Sequence, residues 1–261
     1  MSDYQPDAAA AALHEVRQRR GQVAPLPAAI APRTEAEGAA VQHALARRVG
    51  AAPPAGFKIG ATARRMQEYL GLSGPAAGFM AVGNVYRSGA TLQFADYVRV
   101  GVEGELAVRL ARDLPPGPCT AEEAADAVGD LMAGIEIVEN RYGELLELGV
   151  PTLIADQVFH GAAVLGEPGM QDWRSLDIGA LRGRLIVDGH LRDEGVGADL
   201  MGHPMNCLAW LAGSGVAAAF GGLKAGQVIM LGSVTPPVWL TGPASVTVDF
   251  SPLPPVQVRL A

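Results

Sequence analysis

The sequence predicts an α+β protein, with a small, mostly helical N-terminal lobe at residues 1–78 and a β-rich body at residues 79–261 built as a rolled or closed mixed sheet. Alanine-rich segments with apolar residues at helical spacing dominate the first 50 residues. From about residue 79, short runs of β-branched residues alternate with turn residues. The 33 glycines and 19 prolines also favour many tight turns over a helix bundle. We expect the two parts to form one integrated unit.

The segment before residue 79 is predicted to hold three helices and one short strand. Thr34 occupies the N-cap position of the second helix, and Gly71 is a stop signal for the third. The predicted helices are 8–21, 32–51 and 63–72, and the predicted strand is FKIG at 57–60.

The segment after residue 78 is predicted to be mostly strands. The dipeptide Asp188-Gly189 supplies the positive φ angles of a two-residue hairpin turn. Thr120 and Glu123 have the spacing of a capping box, which predicts a helix over 119–134, and a later helix is predicted over 204–220. The predicted strands lie within 81–93, 98–112, 131–142, 160–168, 182–195 and 245–261.

Charge and cysteine content exclude several classes of function. A net charge of −7 argues against a nucleic-acid or anionic-membrane surface. Only Cys119 and Cys207 occur, without a partner motif, which favours a reduced, cytoplasmic setting over a disulfide framework. No apolar run reaches the roughly 18 residues of a membrane span, and the acidic, alanine-rich start is unlike a signal peptide.

The stretch VEGEL places Glu103 and Glu105 one residue apart in a predicted strand. Successive side chains of a strand point to opposite faces, so the two glutamates share one face and an apolar stripe starting at Val98 occupies the other. One interpretation is an antiparallel strand with one solvated face. The other is a pair of ligands for a hard divalent cation, which takes oxygen donors.

A third glutamate, Glu136, lies between Ile135 and Ile137 in another predicted strand. A glutamate in an apolar strand is costly to bury unless its charge is compensated. An ion pair with Arg141 or Lys58 would compensate it, and so would a metal ion shared with the VEGEL glutamates. Three acidic side chains in an otherwise apolar region favour the metal site.

Six ordered segments of the chain resemble the fumarylacetoacetate hydrolase superfamily, and most closely its 2-keto-4-pentenoate hydratase and 4-oxalocrotonate decarboxylase branch. The resemblance runs from residue 56 to the C terminus. The segments that carry it are GFKIG, VEGELA, GIEIVENRY, IADQVFHGAAVLG, GHPMNCLAWLA and LKAGQVIMLGSVT. A chance match of six segments in the same order is improbable.

The resemblance implies a role for each matched residue. The E-x-E motif of the family and its third carboxylate match Glu103, Glu105 and Glu136, which would hold Mg²⁺ or Mn²⁺. The lysine of its G-x-K-I-G motif matches Lys58, which would face the substrate carboxylate or a developing enolate. Positions near the carboxylate end of the substrate are matched by Ser233 and Thr235.

Two segments depart from the pattern of the family. Ala76, in SGPAAGFM, stands where hydratases of this branch carry an aspartate. The segment 157–160 replaces small polar residues by bulkier ones, and we expect Gln157 and Phe159 to contact the substrate there. These changes predict a substrate tail that is less polar than usual.

His160 and Asp156 are the further catalytic candidates beside Lys58. The pKa range of an imidazole suits a general acid or base, and the alternative for His160 is a packed or solvent-facing histidine beside a turn. For Asp156 the alternative is a structural hydrogen-bonding role. His203 is expected to cap or pack against a helix, and Trp239 to fill core or interface space.

The function implied by the resemblance is a divalent-metal-dependent hydratase of a 2-hydroxy-2,4-dienoate or 2-oxo-alkenoate, acting through a metal-chelated enolate. The alternatives are a 4-oxalocrotonate-type decarboxylase, an acylpyruvate-type C–C hydrolase, and a non-catalytic homologue that only binds metal and 2-oxo acid. The expected ligand is a small 2-oxo or 2-hydroxy acid, with no nucleic-acid or membrane partner. The resemblance also implies a homo-oligomer.

Overall fold

The computed structural model describes residues 4–143, 145–168 and 172–261 and confirms the α+β class. Its α-helices are α1 (Pro6–Gln18), α2 (Glu35–Arg48), α3 (Arg64–Leu70), α4 (Ala121–Asp126), α5 (Leu145–Leu148), α6 (Val150–Ala155), α7 (Pro204–Ala212) and α8 (Gly215–Ala219). Its strands are β1 (Gly56–Gly60), β2 (Ala76–Met80), β3 (Val85–Arg87), β4 (Ala90–Leu92), β5 (Val100–Leu110), β6 (Val128–Glu139), β7 (His160–Leu165), β8 (Arg182–Val187), β9 (His190–Val196), β10 (Val228–Ser233), β11 (Val238–Trp239), β12 (Ala244–Asp249) and β13 (Val256–Leu260). Across these described ranges, every helix is too short or too polar to span a bilayer.

The larger sheet is mixed and has the strand order β2-β1-β10-β5-β6-β7-β3, with the short strand β11 also paired to β5. Strands β5 and β6 form its long antiparallel centre. The β1–β10 and β3–β7 pairs are parallel, whereas the other pairs of this sheet are antiparallel. Segments that are distant in the sequence therefore meet beside β5, where the predicted glutamates lie.

A smaller sheet of order β4-β13-β12-β8-β9 packs on the centre of the larger one. Gly104 in β5 faces this smaller sheet, because a Cβ built on it would lie 3.4 Å from a methyl group of Val248 in β12. The even-numbered apolar residues of β5 share this face and are buried in the main core. The odd-numbered glutamates consequently lie on the opposite face.

The first helices pack against the β1–β2 edge of the larger sheet. Phe220, which follows α8, makes edge contacts with His43 of α2 and Phe57 of β1, at centroid distances of 4.8 and 5.2 Å. It also lies 5.9 Å from the ring of Phe79 in β2. The expected lobe boundary at residue 78 falls inside β2, so β1 and β2 belong to the same sheet as the β-rich body.

The local signals at helix ends and turns are confirmed. The Thr34 hydroxyl accepts a hydrogen bond from the backbone N–H of Glu37 at 3.1 Å, and Gly71 ends α3 with φ of 70°. The capping box of Thr120 is formed. Asp188 and Gly189 both have positive φ between the paired strands β8 and β9.

The extents of several elements differ from expectation. The helix predicted over 119–134 ends at Asp126, because from Val128 the chain pairs with β5 as β6. The helix predicted over 204–220 divides at Ser214, whose side chain caps α8. The strand predicted over 81–93 divides into β3 and β4, which belong to different sheets. Strands β2 and β10 and helix α6 were not predicted as elements.

Candidate active site

The three glutamates converge on one face of the β5–β6 pair. Glu103 and Glu136 are directly opposed across the two strands, and Glu105 lies two residues further along β5. One carboxylate oxygen from each lies within 4.8 Å of the others. Glu105 and Glu136 are buried and Glu103 is half-buried, so the interpretation of VEGEL as a strand with a solvated face is wrong.

The charges of these carboxylates are only partly compensated by the protein. Burial, together with the charge of Glu136, raises the pKa of Glu103 to about 8. Burial and the charges of Glu136 and Glu103 raise the pKa of Glu105 well above its ordinary value. Burial also opposes ionisation of Glu136, but the charge of Lys58 and a hydrogen bond to His160 outweigh it and hold its pKa below the ordinary value.

Glu105 is held by the backbone of β10 but leaves one oxygen unpartnered. A register shift in the β10–β5 pairing between Met230 and Ser233 turns the N–H of Gly232 towards Glu105, which accepts it through Oε2 at 2.9 Å. Gly232 has φ of 116°, and a Cβ there would lie 2.6 Å from Thr62, so a side chain would displace this contact. Oε1 of Glu105 is buried without a hydrogen-bond partner among the described residues. A buried, unpartnered carboxylate oxygen beside two more carboxylates fits a hard divalent cation.

Lys58 lies on β1 at the inner end of the same face. Its side chain is 2% exposed, and Nζ donates a hydrogen bond to the carbonyl oxygen of Val158. Nζ also lies 3.5 Å from Oε1 of Glu136. Of the two ion pairs considered for Glu136, the one with Lys58 is formed, whereas Arg141 pairs with Glu139 and Asp156. Glu136 still shares its site with the other two glutamates, so the ion pair and the metal site are compatible.

The segment from Gln157 to Phe159 is a strained left-handed turn. Its three successive residues have φ of 64°, 50° and 65°, and each such non-glycine residue costs roughly 1–2 kcal/mol. The turn aims the Val158 carbonyl at Lys58 and directs Phe159 into a neighbouring cavity. Strain concentrated beside the lysine and the glutamates is typical of a functional site.

His160 lies behind Glu136. Its Nδ1 lies 2.9 Å from Oε1 of Glu136, and because an ionised carboxylate only accepts, Nδ1 donates this hydrogen bond. The side chain is 1% exposed, and burial lowers the pKa of His160. The histidine contacts a predicted metal ligand and does not line the cavity at Lys58 and Glu103.

Asp156 is enclosed by positive and hydrogen-bonding groups. Its Oδ1 accepts from Nε of Arg17 at 2.7 Å, and its Oδ2 accepts from Arg141 and from the Tyr142 hydroxyl, both at 3.0 Å. Its side chain is fully buried. This arrangement favours the hydrogen-bonding alternative for Asp156.

The predicted substrate-binding residues fall into two groups. Phe159 lines the cavity beside Lys58, whereas the Gln157 amide donates to the carbonyl of Phe79 at 2.6 Å and does not line it. The Ser233 hydroxyl donates a hydrogen bond to the carbonyl of Gly104 at 3.3 Å. The Thr235 hydroxyl accepts one from the N–H of Gly104, also at 3.3 Å. These two hydroxyls therefore brace the strand between Glu103 and Glu105.

A cavity of about 220 Å³ extends outward from Lys58 and Glu103. Sequence patterns did not identify its outer part, because those side chains come from strand ends and from α3. Trp239, expected in the core or an interface, is half-buried and lines the cavity. The other lining residues are Gly60, Ala61, Met66, Tyr69, Leu70, Arg99, Val138, Asn140, Leu145, Val158, Phe159 and Pro237.

Fold and site together define an α+β protein with a three-glutamate centre suited to a hard divalent cation, placed at the inner end of a small-molecule cavity. The sequence model of the protein family described as fumarylacetoacetate (FAA) hydrolase, C-terminal, matches residues 57–261 of this chain. The chain therefore belongs to the fumarylacetoacetate hydrolase family.

Two relatives and one solved structure show which members of this family the chain is similar to. A 2-hydroxyhexa-2,4-dienoate hydratase from Comamonas testosteroni is 33% identical over 184 residues, covering 69% of this chain and 68% of that protein. A 2-keto-4-pentenoate hydratase from Paraburkholderia phymatum is 28% identical over 261 residues, covering 99% of this chain and 98% of that protein. The structure of 4-oxalocrotonate decarboxylase from Pseudomonas putida G7, complexed with magnesium and adipate, superposes with a TM-score of 0.88 at 23% identity. It covers 100% of this chain and 99% of that one.

Proposed function

We propose that this protein is a divalent-metal-dependent hydratase that adds water to a 2-hydroxy-2,4-dienoate or its 2-oxo-alkenoate tautomer. The observation that carries the proposal is the convergence of three glutamates and Lys58 at the inner end of one cavity. The likeness to two curated hydratases supports this reaction among those known for the fold.

The residues that would hold the cation are Glu103, Glu105 and Glu136. Their all-oxygen donor set matches Mg²⁺ first and Mn²⁺ second. When bound, the ion would supply Lewis-acid stabilisation of negative charge on the carboxylate and 2-oxo group of the substrate.

Lys58 would bind the reacting end of the substrate. Its ammonium group is anchored by the Val158 carbonyl, lines the cavity and is buried, so it is held in place before the substrate enters. A preorganised cation in a site shielded from water stabilises negative charge that develops on a substrate oxygen. Ser233 and Thr235 would keep the glutamate-bearing strand in register near the carboxylate end of the substrate.

His160 would act as a positioning residue through Glu136. Its hydrogen bond orients the Glu136 carboxylate towards the other two glutamates, as groups behind a metal ligand commonly do. Asp156 would hold the turn that carries Val158 and Phe159, since it is the last residue before that turn and is anchored by Arg17 and Arg141.

A decarboxylase is the second candidate. The ionisable side chains among the described residues that line the cavity are those of Lys58, Tyr69, Arg99 and Glu103. Position 76, where related hydratases carry an aspartate, is a buried alanine in β2. Loss of CO₂ requires no distal group to activate water, so this composition also suits decarboxylation.

The deciding experiment is turnover of 2-hydroxypenta-2,4-dienoate and of 2-oxohex-3-enedioate with Mg²⁺, with Mn²⁺ and after EDTA. Metal-dependent loss of the dienol absorbance without CO₂ release is the expected result for a hydratase. CO₂ release from the diacid would make the protein a decarboxylase. Glu103→Gln, checked by circular dichroism to be folded, should abolish turnover. A folded wild-type protein that binds metal but converts neither compound would contradict both reactions.

The assembly and setting of the protein are part of the same proposal. We expect a homo-oligomer of at least two copies acting in the cytoplasm on a small 2-oxo or 2-hydroxy acid. Light scattering coupled to size-exclusion chromatography measures the assembly, and a mass of 27.0 kDa would be that of a single chain and would contradict it.

A further inference from the structure

We propose that Arg99 recognises a second carboxylate at the far end of the substrate, so that the protein prefers dicarboxylic substrates over monoacids of the same chain length. This inference rests on the proposed function, because it takes Lys58 and the three glutamates to bind the 2-oxo acid end.

Arg99 and Glu103 mark two ends of one cavity. Both line it, and Arg99 comes immediately before β5, four residues ahead of Glu103. Four residues of strand span roughly 13 Å. A substrate whose first carboxylate lies at Glu103 and Lys58 therefore extends its chain towards Arg99.

Gly101 leaves room for an aromatic ring between these two ends. It lies midway between Arg99 and Glu103 in the sequence, and a Cβ on it would lie 2.9 Å from the Trp239 ring and 3.0 Å from a methyl group of Val138. Because Gly101 has no side chain, the indole of Trp239 packs directly against it, where β11 pairs with β5. Trp239 and Val138 thus make an apolar floor for the middle of a carbon chain.

The same indole supports the arginine. Cζ of Arg99 lies 4.9 Å from the centroid of the Trp239 ring, a cation–π contact that restrains the planar guanidinium. Stacking through the face leaves the N–H donors at the edge available, and these match the two oxygens of a carboxylate.

Arg99 has no anionic partner among the described residues. Among these residues, no ion pair or hydrogen bond involves the guanidinium of Arg99. The guanidinium is always charged. The side chain is exposed at the cavity mouth. The neighbouring Asn140 donates its backbone N–H to the Arg99 carbonyl at 2.8 Å and also lines the cavity. Oδ1 of Asn140 accepts a hydrogen bond from the backbone N–H of Tyr142, whereas the side-chain NH₂ group of Asn140 has no partner in the described ranges. A guanidinium and an amide N–H at the same end of a cavity form a receptor for a carboxylate.

Arg99 at the cavity mouth argues against the expectation of a less polar tail, because it favours a charged end. The walls around the middle of the substrate are apolar, from Val138, Phe159, Pro237 and Trp239. A substrate with an alkyl end would make no ion pair with Arg99, which would stay solvated. A substrate with a carboxylate end would form an ion pair with it. The distal pocket is therefore apolar along the chain and cationic at its end.

The test compares two substrates of equal length, 2-hydroxyhepta-2,4-diene-1,7-dioate and 2-hydroxyhepta-2,4-dienoate, with the Mg²⁺-loaded full chain. We expect kcat/KM to favour the dioate. Arg99→Met should lower kcat/KM for the dioate by about ten- to a hundredfold, as for loss of a hydrogen bond to a charged group, mainly through KM, and change the monoacid less than twofold. Arg109→Met is the matched control, since Arg109 lies at the far end of β5, is 41% exposed, and is outside the cavity. It should change neither substrate.

A binding measurement separates this inference from the proposed reaction. Calorimetry with 2-oxoadipate and 2-oxohexanoate measures recognition of the second carboxylate even if the protein catalyses no hydration. We expect tighter binding of 2-oxoadipate to the wild-type protein and loss of that preference in Arg99→Met. Equal affinity for the two acids, preference for the monoacid, binding of neither, or a preference that survives Arg99→Met would each overturn the role of Arg99. Failure of turnover with a retained Arg99-dependent preference would overturn the hydratase reaction alone.

Discussion

Asp156 is the residue whose burial most directly determines its role. Its carboxylate is fully buried between Arg141, itself 3% exposed, and Arg17, which is 20% exposed. Burial raises the pKa of Asp156, but the charges of Arg141 and Arg17 outweigh it and leave the pKa below its ordinary value. The group is therefore an ionised partner in a buried network, which is unsuited to exchanging protons with a substrate near neutral pH.

Replacing this carboxylate should strongly destabilise the fold. Asp156→Asn leaves the buried Arg141 charge short of a partner, and we expect a loss of about 3–5 kcal/mol in the free energy of unfolding by urea denaturation. The control is Asp96→Asn, because Asp96 is 53% exposed and pairs with an Arg20 that is 58% exposed. Its loss should stay below about 1 kcal/mol. Similar losses for the two variants would contradict the buried network.

The Asp156 carboxylate should also make the stability of the wild-type protein depend on pH. A folded-state pKa below that of the unfolded chain gives stability that is present above the unfolded value of about 3.9 and is lost as the pH falls through the folded pKa. The free energy of unfolding should therefore fall more steeply with decreasing pH, below about pH 4, in the wild-type protein than in Asp156→Asn. Parallel curves would show that Asp156 is not linked to folding in this way.

At the scale of elements, strand register decides which side chains meet. The cross-strand pairing of β5 and β6 opposes Glu103 to Glu136, and a one-residue slip would move one of them to the other face. A register shift in the β6–β7 pairing, between Ile137 and Val138, lets His160 at the start of β7 reach Glu136. Neither contact follows from the pattern of one strand alone.

The pairing of β1 with β10 should be intolerant of a side chain at Gly56. A Cβ there would lie 1.7 Å from the carbonyl oxygen of Val228, which is backbone and cannot rotate away. Gly56→Ala should cost at least about 1–3 kcal/mol of unfolding free energy in urea. Because Lys58 is two residues away on β1, catalytic turnover should fall as well.

Gly74→Ala is the control for this substitution. No heavy atom lies within 4 Å of a Cβ at Gly74, and its φ is not in the left-handed region. The change should therefore stay within about 0.5 kcal/mol. Equal stability of the two alanine variants would mean that β1 and β10 are not as closely paired as described.

At the scale of the whole molecule, the site depends on segments that the chain brings together from far apart. Lys58 comes from β1, the glutamates from β5 and β6, Phe159 from the turn before β7, and Trp239 from β11. A ligand that ties these segments together only in the folded state must stabilise the entire fold.

Divalent metal should therefore raise the melting temperature. At a Mg²⁺ concentration of about a hundred times its dissociation constant, binding contributes about 2.7 kcal/mol, which corresponds to a rise of roughly 5–10 °C for a chain of this size. Differential scanning fluorimetry with Mg²⁺, Mn²⁺ and EDTA measures it. The rise should vanish in Glu105→Gln and persist in Glu122→Gln, whose side chain is exposed on α4. A wild-type melting temperature indifferent to both metals would contradict the metal centre.

The sequence by itself determined the α+β class, the helix caps, the Asp-Gly hairpin and the three glutamates with Lys58. The class, the caps, the hairpin and the glutamate pattern depend on local conformational preference and on the two-residue period of a strand, which are properties of short segments. The role of Lys58 was implied by the resemblance to the family. The position of Trp239 and the roles proposed for His160 and Arg99 come only from the tertiary structure. His160 contacts Glu136 through the register of β7, and Arg99 lies over the Trp239 ring that β11 places against Gly101. Such contacts join residues that are distant along the chain, and their physical cause is the pairing and packing of whole strands.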